Sequence, residues 1–172
     1  PGWLVAGDFS ACPPQVKLPY LHYLRARYFL YIGKFEVALT IAQTALTFCA
    51  QERGITLSEI YLRVVGALAC HRLGREHEAA RRLLEAMRIA LPHGFITPFA
   101  EPVSDFGGLV EKCLEEEFPH CSNAVIEQWK CTVKNWITFH NHFTRDNITL
   151  ILSLRESHLA QLVASHVPYA KI

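Results

Sequence analysis

The chain has 172 residues, 51% of them hydrophobic, with 17 Lys and Arg against 16 Asp and Glu and a formal net charge of +1. So balanced a charge gives bulk electrostatics no pull on nucleic acid or an acidic membrane, and any such affinity must come from a local patch. The apolar content excludes disorder over most of the length, and no apolar run approaches the roughly 20 residues of a membrane span.

Residues 1–17 are expected to form an extended N-terminal segment. From Leu18 to Ile32 apolar and aromatic residues are dense and helical in spacing, and Gly33 interrupts where two antiparallel helices can turn. The partner helix is predicted from Phe35 to about Gln51. Its apolar positions Phe35, Ala38, Leu39, Ala42, Ala45, Leu46 and Cys49 recur at steps of three and four, the stripe one helix lays against another. Thr56-Leu57-Ser58-Glu59 then reads as a capping box, opening a helix that runs to about Leu73. Gly74 makes a second turn, and Arg75 to Leu91 forms a further helix stopped by Pro92 and Gly94.

The two turns repeat each other. Gly33 and Gly74 lie 74 − 33 = 41 residues apart, and Ala38 with Ala79, Ala26 with Ala67 and Ala45 with Ala86 keep the same spacing. Small residues in phase let helix backbones approach closely, and a fixed period of this size is the mark of a helical repeat. Residues 18–101 are therefore expected to be two tetratricopeptide-like hairpins in an all-α solenoid, a right-handed superhelix with capping helices. The bland alternative is a pair of Ala-rich helical hairpins with no solenoid.

After Pro92 the register breaks. Phe95 to Glu101 reads as a linker or short helix, and a helix is predicted near Asp105 to Glu116 with Ser104 as its cap. A long helix from about Asn123 to Phe143 carries Ile126, Trp129, Val133, Trp136, Ile137 and His140 on one face. That face is expected to pack across the end of the repeat pair, so residues 102–144 are assigned as capping helices. In residues 145–172, Ser153-Leu154-Arg155-Glu156 is another capping box, leading a short helix with Leu159, Leu162 and Val163 inward before Pro168.

In a tetratricopeptide-like hairpin the first helices line a concave surface. Here Tyr20, Tyr23, Arg27 and Tyr31 from one hairpin and Tyr61, Val64, Leu68 and His71 from the other are the expected ligand or partner face. Tyrosines combine contact area with a polar tip, which suits a peptide or a sugar-like effector. The competing reading packs some of them against the N-terminal segment, at Trp3 and Leu4. Arg72, Arg75, Arg81, Arg82 and Arg88 form either a docking patch or a solvated face, the commoner role of scattered arginines. Glu115, Glu116 and Glu117 read as a solvated helix end.

Six cysteines, Cys12, Cys49, Cys70, Cys113, Cys121 and Cys131, contain no C-x-x-C pair and no tight framework, which points to a reducing cytoplasm. Cys113, His120, Cys121, Cys131, His140 and His142 lack the paired spacing of a zinc site, so no metal and no cofactor are expected. Neighbours such as Cys70-His71 and His120-Cys121 point about 100° apart on a helix and cannot form a nucleophile–base pair. The chain is expected not to be an enzyme. It opens on Pro1 and its single methionine is Met87, so it reads as a piece of a longer protein, with no signal sequence at its start.

The segment Ala86 to Glu101 resembles the tetratricopeptide region of large LuxR-type transcriptional regulators of the MalT-like branch, through Pro92, Gly94, Phe95, Pro98, Phe99 and Glu101. The tail is similar to the opening of the LuxR-type DNA-binding domain, with Leu152, Ser153, Arg155, Glu156, Leu159, Leu162, Ala164 and Ile172 in phase. The likeness covers roughly residues 18–172. His158 stands where that pattern has an acidic residue, His166 where it has glycine and Pro168 where it has serine. The resemblance implies a signal-sensing or interdomain-coupling region, with residues 145–172 the truncated start of a helix-turn-helix domain. The recognition helix is absent, so this stretch itself is expected not to read DNA. No G-x-x-x-x-G-K-[ST] marks the ATPase module that such regulators carry upstream. The expected partner is an effector, a protein or a peptide on the concave face, with self-association a further option. The alternative is a free-standing tetratricopeptide adaptor that binds peptides.

Overall fold

All regular structure among the described residues is helical in the computed structural model, which describes residues 2–10, 12–13, 18–49 and 56–164. Nine α-helices follow in order among them: α1 (Gly2–Ala6), α2 (Leu18–Tyr31), α3 (Phe35–Cys49), α4 (Leu57–Arg72), α5 (Glu76–Ala90), α6 (Thr97–Ala100), α7 (Leu109–Glu117), α8 (Pro119–Thr144) and α9 (Leu154–Ala164). Short 3₁₀ turns lie at Leu91–His93 and Val103–Phe106. None of these helices is long and apolar enough to cross a membrane. The chain divides into two compact units between Pro98 and Phe99.

In the first unit the chemistry of the turns sets the register. Gly33 and Gly74 adopt φ of +76° and +73°, the left-handed conformation that glycine reaches without a Cβ penalty. Each turn closes with the same bonds: Lys34 N–H donates to Phe29 O at 2.8 Å, and Arg75 N–H to Cys70 O at 2.9 Å. These are helix-ending bonds of the Schellman kind, which satisfy carbonyls the helix cannot reach. α3 and α5 begin and end 41 residues apart, as do the ends of α2 and α4. Ala26, Ala38, Ala45, Ala67, Ala79 and Ala86 are all fully buried, so each in-phase alanine sits where helices meet.

α4 is the centre of this unit and packs against α2, α3 and α5. Gly66 sits in its middle, where an added Cβ would lie 3.8 Å from the Cβ of Ala42 and 3.9 Å from Leu39 Cδ1. Only half of the predicted Thr56 box forms. Thr56 Oγ1 accepts the Glu59 N–H at 3.2 Å, while the Glu59 carboxylate turns to Arg63 at 2.8 Å, an ion pair one turn along.

The N-terminal segment is not wholly extended. Gly2–Ala6 forms a single turn that Gly7 ends at φ +73°. Arg25 of α2 donates to Leu4 O at 3.0 Å and Val5 O at 3.1 Å, supplying the last carbonyls of α1 with the donors that so short a helix lacks.

In the second unit α7 begins at Leu109, later than predicted. Gly107 and Gly108, at φ of +55° and +94°, break the helix after the Val103–Phe106 turn, so Gly108 rather than Ser104 stands at the N-cap. α8 starts earlier, because Pro119 fits the first turn, where its missing N–H is no loss. The predicted apolar face of α8 is covered only towards its N-terminal half: Val125 and Trp129 are buried, whereas Trp136 is 56% exposed. α9 opens on an intact box, with Ser153 N–H donating to Glu156 Oε2 at 2.8 Å and Glu156 N–H to Ser153 Oγ at 3.3 Å. Its Leu159 and Val163 are exposed, not inward, and Leu162 is half-buried. Gln51, His166, Pro168 and Ile172 lie outside the described residues.

Candidate binding face

Three tyrosines of the first unit form a row that crosses from α2 to α4. Tyr20 and Tyr23 are one helical turn apart with ring centroids at 6.1 Å, and Tyr23 meets Tyr61 at 5.0 Å, both pairs tilted. Aromatic pairs at these separations stabilise one another beyond their buried area. Tyr20 is exposed, and Tyr23 and Tyr61 are half-buried, so the row offers a partly open aromatic surface.

The other predicted members are placed differently. Val64 and Leu68 are only 3% and 4% exposed and belong to the core, because α4 is surrounded by three helices and has no bare face at these positions. They offer a ligand no side-chain surface. Arg27 is exposed and Tyr31, at 90%, is almost fully so. His71 is half-buried and its Nδ1 lies 3.0 Å from Glu76 Oε1, a contact that fastens the end of α4 to the start of α5.

A second aromatic group joins the N-terminal segment to α2 and α3. Trp3 packs edge-on to Phe9 at 5.8 Å, Phe9 edge-on to His22 at 5.0 Å, and His22 stacks on Phe48 at 6.2 Å. His22 Nδ1 is buried without a hydrogen-bond partner. Burial first, and the nearby Arg25 cation second, hold the His22 ring below the ordinary histidine value. The signal for this cluster lay in Trp3, Phe9 and Phe48, but rings so far apart in sequence share no spacing that announces a contact.

The arginines are largely neutralised where they stand. Arg82 meets Glu78 at 2.7 Å, Arg81 meets Glu85 at 2.9 Å and Arg75 meets Glu36 at 2.5 Å, while Arg72 and Arg88 also have partners. That supports a solvated, internally paired face more than a phosphate dock. Cys70 is fully buried and its thiol is pushed up, above all by desolvation, so the neighbouring His71 has no thiolate to serve. Cys113 is pushed up to about 11 by the same cause. Among the described residues no three His, Cys, Asp or Glu side chains converge as metal ligands.

Compared with known proteins, the chain matches no family model, no curated protein and no solved structure.

Proposed function

We propose that this chain is a non-catalytic, tetratricopeptide-like coupling region of a LuxR-type transcriptional regulator. The observation that carries the scaffold reading is the 41-residue register of the first unit, in which helix ends, left-handed glycines and buried alanines all coincide. A repeat unit of this kind presents a surface rather than a reaction centre. The regulator setting rests on the likeness of Pro92 to Glu101 and of the tail, and the intact Ser153–Glu156 box at the head of α9 supports it.

Within that reading Tyr20, Tyr23 and Tyr61, with the exposed Arg27 and Tyr31 and the half-buried His71, receive the effector or protein partner. Occupying the row stiffens α2 against α4. Any downstream effect travels through the chain that leads to the DNA-binding unit.

The deciding experiment expresses the chain together with whatever its gene encodes beyond Ile172 and measures retardation of operator-region DNA, with and without candidate effectors. Retardation by the longer protein, altered by an effector and by Tyr23→Ala, is the expected result. A reading frame that ends near Ile172, or DNA affinity indifferent to every effector and to Tyr23→Ala, overturns the coupling role.

A further inference from the structure

The second unit contains a cleft of about 370 Å³ between α8 and the chain that leads into α9, lined by Trp129, Lys130, Cys131 and Lys134 on one side and Ile151, Leu152, Ser153 and Glu156 on the other. That volume lies within the range of small-molecule sites, which pair apolar walls with a few orienting polar groups.

The cleft has built ends. At one, the Asn141 side chain mimics a strand partner: Nδ2 donates to Ile148 O at 2.8 Å and Oδ1 accepts the Ile148 N–H at 3.0 Å, tying the returning chain to α8. Behind that tie, Asp146 is held by His140 and by Thr144, each at 2.8 Å. At the other end the Ser153–Glu156 box stiffens the start of α9. Between them Trp129, 5% exposed, lines the cleft together with the apolar Ile151 and Leu152.

The charges choose the ligand. Lys130 is paired with Glu127 at 2.7 Å, and the Glu156 carboxylate takes the Ser153 N–H and hydroxyl. Lys134 makes no ion pair among the described residues and lines the same cleft. We propose that this cleft binds a small amphipathic carboxylate, its flat apolar body between Trp129 and the Ile151–Leu152 pair and its anion on Lys134. A cation facing a carboxylate beside apolar walls gives a charge-assisted contact stronger than a neutral one. The proposal is independent of the tyrosine row and of the regulator reading.

Isothermal titration of the 172-residue chain with 1-naphthoate tests it, with 1-naphthalenemethanol as the neutral control. The expected result is one saturable site, shifts of the Ile151, Leu152 and Trp129 resonances, and affinity for the neutral control weaker by about fivefold or more. Lys134→Gln lowers naphthoate affinity by about fivefold while Lys134→Arg retains it, and both variants melt with the parent protein. Absence of saturable binding, equal affinity for the neutral control, or an unchanged Lys134→Gln variant overturns the proposal. So does loss of binding on Phe139→Ser, which would move the probe to the exposed rings of Phe139 and Phe143 outside the cleft.

Discussion

α2 and α4 end at equivalent residues and turn through the same left-handed glycine, yet their burial differs sharply. α4 buries Ile60, Leu62 and every residue from Val64 to Cys70, whereas α2 buries Pro19, Leu21, Ala26 and Phe29. The cause is neighbourhood: α4 lies among α2, α3 and α5, while α2 has α3, α4 and the single turn of α1. Each of the two helices is also covered by the element that comes before it. At α4 the covering element is the full helix α3, met through Gly66; at α2, Arg25, 41 residues earlier, reaches out to the carbonyls of α1. The same position thus hosts the smallest residue where a helix covers it and a long cation where only one turn does.

Leu68 and Arg27 test this comparison most strongly, since they too are 41 residues apart. Leu68→Ala removes a side chain that is 4% exposed and is expected to cost about 3 kcal/mol in chemical denaturation. Arg27→Ala, on the exposed side of α2, is expected to stay within about 0.5 kcal/mol of the parent. Similar losses at both sites would mean that the two first helices are equally enclosed.

The two glycine turns provide the converse test, an equality. An added Cβ at Gly33 or Gly74 meets nothing within 4 Å, so alanine there costs only the backbone strain of a left-handed residue, about 1 kcal/mol at each site. Melting curves of Gly33→Ala and Gly74→Ala should therefore fall by matching amounts. A loss confined to one variant would break the structural equivalence of the turns.

Gly66→Ala changes sign. Its φ is helical, the new methyl would sit at ordinary contact distance from Ala42 and Leu39, and alanine is the better helix former, so stability should rise by up to about 1 kcal/mol. A loss instead would show that the face of α4 towards Ala42 and Leu39 has no room for the added methyl.

The hairpins were legible because their signals are local. Gly33, Gly74 and the in-phase alanines mark turns and close contacts without knowledge of anything distant, and Ser153 with Glu156 marks a helix start within four residues. What escaped depends on partners far away in sequence. Val64 and Leu68 lie 41 residues after Tyr23 and Arg27, and only the packing of α2, α3 and α5 around α4 makes them core. Ser104 is a fair cap by residue type, but Gly107 and Gly108 override it by ending the turn it would have opened. Leu159 and Val163 are exposed because α9 meets the Val103–Phe106 turn through other positions, among which Leu162 is half-buried. The Asn141 tie that shapes the cleft of the second unit follows no spacing rule at all.

The gentlest test of the comparison is pH. His22 and Arg63 lie 41 residues apart, and their surroundings treat the charge oppositely: Arg63 is paired with Glu59 at 2.8 Å, while His22 lies between Phe9 and Phe48, with Nδ1 buried and unbonded and Arg25 close by. Because the folded state holds His22 below its ordinary value of 6.5, the unfolded chain binds a proton more readily. Stability from this site is therefore fully present above the ordinary value and is lost as pH falls from there towards the lower folded value. Half-buried as it is, the ring feels enough water that this loss should be smaller than that of either glycine-turn variant. Melting temperatures measured from neutral pH downwards should decline less steeply in His22→Leu than in the parent, and the His22 ring resonance should titrate with a midpoint below 6.5. A midpoint at or above that value would mean that the N-terminal aromatic cluster leaves the ring solvated, and that α2 is even less covered than its Arg25 contact with α1 implies.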